Sequence, residues 1–154
     1  MIKSYLGQVD SLICAEGYLQ SRSIPTNYAA TQLTAIITES DSEFFVTKGA
    51  DIEVKKSGRY LINAGGGHVN ALPTSQGFHL IAEIKRDGAS INNGTGIQIG
   101  NGNIPRVTKQ FKILAGDNIA FTAMSHNAMT TLSAQGVPPD FTIMRIGEYD
   151  ENDE

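Results

Sequence analysis

Short segments in which apolar and polar residues alternate follow one another along most of the chain. In residues 51–55, for example, Ile52 and Val54 fall on the same side of an extended backbone. Because successive side chains of a strand point to opposite faces, such alternation predicts a strand with one buried face. A later segment has the same pattern, and its predicted inner face consists of Phe78, Leu80, Ala82 and Ile84. Further strands are predicted at residues 33–38, 44–46, 59–64, 107–114, 118–124 and 141–146.

Turn-forming residues separate these predicted strands. Asp87-Gly88 is the pair preferred in a type I′ hairpin turn, because both central residues of that turn need a positive φ. Ser57-Gly58 and Gly116-Asp117 mark two further turns. Residues 92–103 are rich in Asn and Gly, and they are predicted to form either a long surface loop or a weak pair of edge strands.

This succession of short strands is typical of an all-β sandwich, jelly roll or barrel. Helical periodicity is nearly absent. We therefore predict one domain over residues 32–147, built from about eight to ten antiparallel strands. Residues 1–31 contain loosely spaced apolar residues interrupted by glycines and a proline, and we expect an extended arm that anchors the chain or contacts a trimer partner. Residues 148–154 hold five acidic residues and form a predicted acidic C-terminal tail.

Composition and charge narrow the range of functions. The 154 residues suffice for one domain that buries roughly two-thirds of the surface of its unfolded chain. The formal net charge is −4, and the acidic tail carries much of it. The remainder therefore has no basic field that would attract phosphates, and we expect no nucleic-acid partner.

Cysteine usage and hydropathy bear on where the chain folds. A single cysteine, Cys14, rules out an intrachain disulfide, which suits folding in a reducing cytoplasm. The N-terminus lacks the apolar run of a signal peptide, and no segment approaches transmembrane length. We therefore expect a protein that is made in the cytoplasm and does not insert into a membrane.

Few residues suggest catalysis or ligand binding. The three histidines, His68, His79 and His126, lie far apart and match no metal-ligand spacing. Cys14 belongs to no Cys-His motif, so a free thiol is expected rather than a nucleophile. Gly65-Gly66-Gly67 lacks the Lys and Ser/Thr of a phosphate-binding loop, and it predicts a bulge or close backbone packing. We predict no catalytic, cofactor or metal site and expect the protein not to be an enzyme.

Three segments together resemble a known family. They are the strand-turn-strand of residues 52–62, the turn at residues 114–119, and a final strand at residues 141–146. Their order and spacing, over Gln32–Gly147, resemble the globular head of complement component q, within the tumour-necrosis-factor-like jelly-roll superfamily. The resemblance implies a jelly-roll β-sandwich and three subunits around a threefold axis, that is, a homotrimer. Inner-sheet side chains then face either their own core or a neighbour, and the candidate interface residues are Tyr60, Phe121 and Phe141.

Asp117 allows two interpretations. Some members of the resembling family bind calcium near their threefold axis, so the resemblance allows a calcium ligand at this position. The turn formed by residues 115–117 accounts for the same aspartate without a metal.

The resemblance and the lack of catalytic motifs predict a structural role. Trimeric knobs of this type are similar to those of phage head fibres, decoration proteins and receptor-binding tips. Our leading hypothesis is a bacteriophage virion protein, a trimeric capsid decoration or head-fibre protein that residues 1–31 anchor to the major capsid protein or another virion protein. One alternative is a receptor-binding tip that contacts host glycan or protein through loops at residues 72–77, 92–103 and 125–140. Another is the head of a bacterial surface or spore-coat filament.

Overall fold

The computed structural model describes residues 13–20, 23–24, 29–41, 43–69, 77–99, 102–125, 130–131 and 139–151. All regular secondary structure in these residues is β-strand. In chain order the strands are β1 (Cys14–Leu19), β2 (Ser23–Ile24), β3 (Thr31–Leu33), β4 (Ala35–Ser40), β5 (Phe45–Lys48), β6 (Asp51–Val54), β7 (Gly58–Val69), β8 (Gly77–Arg86), β9 (Ala89–Ile99), β10 (Gly102–Ile113), β11 (Asn118–Ser125), β12 (Thr130–Thr131) and β13 (Asp140–Gly147).

The strands form two antiparallel sheets that pack face to face. The five-stranded sheet has the order β10-β7-β13-β1-β4, and the six-stranded sheet has the order β5-β6-β11-β8-β9, with β3 paired to β11. The short strands β2 and β12 pair with each other. This arrangement confirms the predicted all-β sandwich with antiparallel strands.

The core lies between the sheets and consists of the inward side chains of both. The largest fully buried side chains are aromatic: Tyr60, Phe78, Phe111, Phe121 and Phe141. Phe121 of the six-stranded sheet and Phe141 of the five-stranded sheet meet with ring centroids 5.5 Å apart. Burying each such side chain stabilises the fold by about 1.5–3 kcal/mol. The inner face predicted for residues 78–84 is confirmed, since all four of its side chains are fully buried.

The predicted boundary at residue 31 is wrong for the strand β1. This strand lies inside the five-stranded sheet, between β13 and β4. Ile13, Ala15 and Leu19 belong to the core, so the jelly roll includes residues well before 32. The pattern was hard to recognise because Ala15 and Gly17 occupy inward positions at which strands more often carry large apolar side chains. Residues 1–12 lie outside the described residues.

Two predicted turn features are confirmed, and one alternative is decided. Asp87 and Gly88 have φ of 52° and 82°, as a type I′ turn requires. At Gly66 the pairing of β7 with β10 shifts register, which is the predicted bulge. Most of residues 92–103 is strand rather than loop. These residues form the end of β9 and the start of β10, which are edge strands of different sheets.

Gly17 is the position at which β1 can tolerate no side chain. The register between β1 and β4 shifts between Glu16 and Gly17. A Cβ atom added to Gly17 would collide with the carbonyl oxygen of Ile36 and lie 2.8 Å from Cζ of Phe141. The backbone of β4 and the core aromatic ring must move apart to make room.

We expect Gly17→Ala to destabilise the fold by about 1–3 kcal/mol, the usual cost of overpacking a core. Urea unfolding followed by circular dichroism measures the change. Thr47→Ala, an exposed position on β5, serves as the control and should stay within about 0.5 kcal/mol of the parent chain. Equal stability of the parent chain and the Gly17 variant would contradict the placement of β1.

Candidate interaction face

One surface of the five-stranded sheet packs on the core, and the other points away from it. We call this outward surface the β13 face, after its central strand. Outward-pointing residues of all five strands form it: Arg106, Thr108, Gln110 and Lys112 of β10; Arg59, Leu61 and Asn63 of β7; Asp140, Thr142, Met144 and Ile146 of β13; Cys14, Glu16 and Tyr18 of β1; and Ile36, Thr38 and Glu39 of β4.

Three large apolar side chains of the β13 face are exposed. Met144 is 42% exposed, Ile146 39% and Tyr18 37%. The strand register places Met144 between Leu61 of β7 and Cys14 of β1. Leu61, Met144 and Ile146 therefore lie close together on two adjacent strands, whereas Tyr18 stands four residues along β13 from Met144. Neighbouring apolar residues on a surface are typical of an interaction surface, whereas single exposed ones are common on any protein.

A polar clasp crosses the same face. The Arg106 guanidinium donates to both carboxylate oxygens of Asp140, at 3.0 and 3.2 Å, and to Oδ1 of Asn63 at 3.1 Å. The hydroxyl of Thr108 donates to the same Asn63 oxygen. Arg106 thus reaches from β10 across β7 to β13, and this path passes over Gly66, where a Cβ atom would lie 3.4 Å from Nη2 of Arg106.

A shallow groove of about 380 Å³ lies beside the clasp. Its lining is mostly polar and comes from all five strands: Glu16, Gly17, Thr38, Asn63, Arg106, Asp140, Phe141 and Thr142. Among its lining residues that the structure describes, one guanidinium, that of Arg106, stands beside two carboxylates, those of Asp140 and Glu16. The groove is therefore net acidic.

The outward surface of the six-stranded sheet is different in character. Its centre carries polar side chains that bind one another. Gln32 donates to Asp51 at 2.7 Å, and Lys85 lies 3.9 Å from Asp51 and 3.8 Å from Glu83. Thr122 also donates to Glu83. Among the described residues, the exposed large apolar side chains of this sheet (Val46, Ile91 and Ile97) all lie on its edge strands β5 and β9.

The three residues predicted for a trimer interface all lie in the core of the single chain. Tyr60 and Phe141 point inward from the five-stranded sheet and Phe121 from the six-stranded sheet, each with 0% exposure. Inward orientation was the alternative that the sequence left open. The interface assignment stays a prediction, and these side chains offer no exposed surface to support it.

Tyr60 belongs to a buried polar cluster that explains the Gly-x-Tyr sequence at residues 58–60. Its hydroxyl donates to the carbonyl oxygen of Lys56 at 2.6 Å. The Arg145 guanidinium donates to the carbonyl oxygen of Ser57 and to Glu148. It lies directly over Gly58, where any Cβ atom would collide with it. Burial raises the pKa of Tyr60 to about 12, although the nearby Arg145 acts in the opposite direction.

Asp117 is a buried carboxylate that forms an ion pair with the partly exposed Arg86. Arg86 donates to both of its carboxylate oxygens at 2.8 Å, and the backbone N–H of Leu114 donates to one of them at 2.9 Å. Hydrogen bonding to Asp117 raises the pKa of Arg86 above its usual range. The aspartate therefore closes the turn at residues 114–117 and joins it to β8, which accounts for the residue without calcium. In the described part of the chain, no three His, Cys, Asp or Glu side chains form a group that could hold a metal ion.

The other residues considered for chemistry do not come together. Cys14 is a free, exposed thiol on the β13 face. His79 lies half-buried on β8, opposite Ile97 of β9. The side chain of His68 and the whole of His126 lie outside the described residues, as do residues 72–76 and most of 126–138. The part of the chain that the structure describes forms no helix long and apolar enough to cross a bilayer.

Sequence reasoning missed the β13 face, although β13 carried a signal. Its segment Phe141–Ile146 is apolar at inward positions and also at Met144 and Ile146, which point outward. Apolar residues on both faces of a strand are typical of strands that are covered on both sides. The clasp had no such signal, because Arg106, Asn63 and Asp140 are far apart in the sequence.

No protein-family model matches the chain, and no curated protein sequence matches it. Solved structures do. Murine APRIL at pH 8.0 superposes with a TM-score of 0.62 at 8% identity, over 88% of this chain and 100% of that one. Eiger TNF from S. frugiperda superposes with a TM-score of 0.59 at 9% identity, over 93% and 98%. These superpositions confirm the predicted jelly-roll fold, and at such low identities they show the fold alone.

The raised pKa of Tyr60 predicts a loss of stability at high pH. The folded-state pKa of about 12 exceeds the unfolded value of about 10, so the stabilisation is present below pH 10 and is lost as the pH rises through 12. Tyr60→Phe should cost about 0.5–1.5 kcal/mol at neutral pH, because the hydrogen bond is lost. It should also flatten the fall in stability above pH 10.

Urea midpoints measured between about pH 8 and pH 12 test this expectation. Tyr18→Phe, which alters an exposed tyrosine, is the control and should keep the slope of the parent chain. An unchanged slope in the Tyr60 variant would contradict the assignment.

Proposed function

Since this chain has the TNF-like jelly-roll fold, we propose that it is a non-catalytic assembly module that forms a homotrimer through the β13 face. The observation that carries the proposal is the exposed apolar patch on the central strands of one sheet. The centre of the other sheet is instead closed by its own ion pairs. Burying Met144, Ile146 and Tyr18 against another copy would remove apolar surface from water, which is the main driving force of association.

The polar residues of the β13 face do not oppose this association. Arg106, Asn63 and Asp140 already bind one another. Polar groups that already have hydrogen-bond partners lose less free energy when they are removed from water than unpaired polar groups do. The clasp can therefore be covered by a neighbouring copy at modest cost.

The proposal keeps two of the three strands that carry the candidate interface residues, β7 and β13, and changes the residues; β11, which carries Phe121, belongs to the other sheet. Tyr60 and Phe141 lie on β7 and β13, but they face the core. Their sequence neighbours Leu61 and Thr142 face outward. A shift of one residue along a strand moves a side chain to the opposite face, so sequence reasoning can select a strand for an interface and still assign the wrong one of its two faces.

Met144→Glu should break the trimer, because association would bury an unpaired carboxylate at the centre of the interface. We expect the concentration for half-assembly to rise by more than about a hundredfold, as measured by sedimentation or light scattering. Ile97→Glu, at a 58% exposed position on β9, is the matched control and should leave the trimer intact. The far-ultraviolet spectrum should stay β-rich in both variants. A monomeric parent chain, or a trimeric Met144 variant, would overturn the proposal.

At a finer level, we propose that the trimer is a virion protein, a capsid decoration or head-fibre protein of a bacteriophage that is made in the host cytoplasm. The support is the TNF-like fold, to which the knobs of phage head fibres and decoration proteins are similar, together with the exposed apolar residues of the β13 face. The partner would be the major capsid protein or another virion protein. The anchor cannot be all of residues 1–31, because β1 belongs to the fold.

Removing residues 1–12 tests the anchor without removing β1. We expect the shortened chain to stay a trimer and to lose binding to purified particles or to major capsid protein, as measured by co-sedimentation. The full chain with Ile97→Glu serves as a folded control that should still bind. Binding that survives the deletion would exclude residues 1–12 as the anchor, and no binding by the full chain would exclude the virion proposal.

One observation favours a second function, a receptor-binding tip. The edge strand β9 exposes Ile91 by 47% and Ile97 by 58%, within a segment whose Asn92 and Asn93 are also exposed. Such a surface could contact a host glycan or protein. A glycan array or a host-cell binding assay in which Ile97→Glu lowers the signal would favour this function over decoration.

A further inference from the structure

In the part of the chain that the structure describes, the two main sheets have four edge strands, and three of them have sequences that discourage pairing with another chain. The strand β5 has only four residues and ends at Lys48. The strand β4 has six residues and includes Glu39. The strand β10 contains Pro105 and three cations, and its pairing with β7 shifts register twice. Charges, prolines, bulges and short length are the features by which proteins protect exposed strand edges.

The fourth edge strand, β9, has almost none of these features. Its 11 residues include no charged residue and no proline. One irregularity of register lies near its start, and residues 92–99 then pair with β8 without interruption. Ile97, within this regular part, is 58% exposed. A long, uncharged edge strand with an exposed apolar side chain is a template for pairing with a further strand.

The main chain of β9 presents free hydrogen-bonding groups along this edge. Successive residues of an edge strand direct their main-chain groups alternately toward the neighbouring strand and away from it. The carbonyl oxygen of Asn93 accepts from Nζ of Lys109 at 2.6 Å, so Asn93 faces away from β8. Thr95, Ile97 and Ile99 follow at intervals of two residues in the same regular ladder and share this orientation. The N–H and C=O groups of Thr95 and Ile97 have no hydrogen-bond partner among the residues that the structure describes.

We propose that β9 pairs with β9 of a second copy of this chain, antiparallel and about a twofold axis. A twofold contact is self-complementary, so the free donors of one copy meet the free acceptors of the other. Because β9 is uncharged, two copies meet without the like-charge repulsion that the other edges would produce. Pairing centred on Ile97 sets this exposed side chain opposite its own copy, where each shields the other from water.

The contact between Lys109 and Asn93 selects this register. Pairing centred on Ile97 places Thr95 opposite Ile99 of the second copy and leaves Asn93 beyond the paired residues. Pairing centred on Thr95 would instead place Asn93 opposite Ile97, although the Asn93 carbonyl oxygen is already bound to Lys109. The paired segment is therefore residues 95–99.

This pairing goes beyond the proposed trimer and uses a different surface. The strand β9 is an edge of the six-stranded sheet, whereas the β13 face belongs to the five-stranded sheet. Chains that make both contacts link one trimer to the next. The Met144→Glu chain, which the proposed function expects not to form trimers, should therefore still form dimers through β9.

Thr95→Pro tests the main-chain contact in the Met144→Glu chain. The substitution removes an N–H that points away from β8, so the ladder within the chain stays complete. The dimer loses the two symmetry-related hydrogen bonds that this N–H donates. We expect the concentration for half-dimerisation, measured by sedimentation, to rise by more than about tenfold. Thr95→Ala keeps the N–H and is the matched control, expected within about threefold of the Met144→Glu chain.

Ile97→Lys, also in the Met144→Glu chain, tests the register. It sets two ammonium groups opposite each other at the centre of the contact and removes the apolar contact there. The concentration for half-dimerisation should again rise by more than about tenfold. Val46→Lys makes a similar change at a 39% exposed position on β5, the other edge of the same sheet. This control should stay within about threefold of the Met144→Glu chain.

Hydrogen exchange measures the pairing in the unaltered chain. The amides of Thr95 and Ile97 should exchange more than about tenfold more slowly at concentrations at which assemblies larger than a trimer form than in dilute solution. The amide of Ile91, which lies outside the paired segment, should exchange at the same rate in both. If circular dichroism shows that the Thr95→Pro chain does not fold, this measurement and Ile97→Lys decide the outcome.

The outcomes separate this inference from the proposed function. A parent chain that stays a trimer at every concentration, with unprotected amides at Thr95 and Ile97, overturns the pairing and leaves the proposed trimer in place. Dimers of the Met144→Glu chain that persist after Thr95→Pro and Ile97→Lys show a contact elsewhere and also overturn it. Dimers that these substitutions remove, from a parent chain that never forms trimers, support the pairing and overturn the proposed function. A monomeric parent chain overturns both.

Discussion

The structure depends on the alternation of side chains along each strand, because alternation decides which residues enter the core and which reach the surface. Phe141 and Met144 are three positions apart on β13 and lie on opposite sides of the sheet. The contact between Phe141 and Phe121 ties the two sheets together. A register slip of one residue in β13 would place Thr142 and Met144 inside and expose the aromatic ring. The strand register that buries the core residues therefore also decides which residues make up the outward face.

A recurrent local feature is an arginine that crosses a strand over a glycine. Arg145 lies over Gly58, Arg106 over Gly66 and Arg59 over Gly147. A guanidinium is flat and keeps its charge, so it can lie close against a backbone that has no Cβ atom and still reach an acceptor beyond it. The structure shows the acceptors in two of the three cases. Arg145 donates to Ser57 and Glu148, and Arg106 donates to Asp140 and Asn63. The contacts over Gly58 and Gly147 lie where β7 begins and β13 ends, and the contact over Gly66 belongs to the clasp on the β13 face.

The outward surfaces of the two sheets differ in the side chains that they expose. On the six-stranded sheet, charges of opposite sign are neighbours and neutralise one another. The β13 face also carries an ion pair, between Arg106 and Asp140, but its strand β13 exposes Met144 and Ile146 as well. Polar side chains that bind one another are stable in water, whereas exposed apolar side chains gain free energy when another molecule covers them. The side chains that each strand exposes are therefore the basis of the assembly proposed for the β13 face.

The sequence by itself determined the local features of this protein. The strands at residues 51–54 and 78–84, the Asp87-Gly88 turn and the bulge at Gly66 follow from residue patterns within a few positions, and local backbone chemistry is enough to specify them. It also indicated the fold class, because the order of strands and turns matched a known arrangement. Only the tertiary structure decided that β1 lies between β13 and β4, that Tyr60, Phe121 and Phe141 face their own core, and that Arg106 meets Asp140. It also brought Glu16 opposite Glu39 and Arg59 opposite Lys112. Those contacts depend on which strands become neighbours, and strand neighbours are chosen by packing between segments that are distant in the sequence.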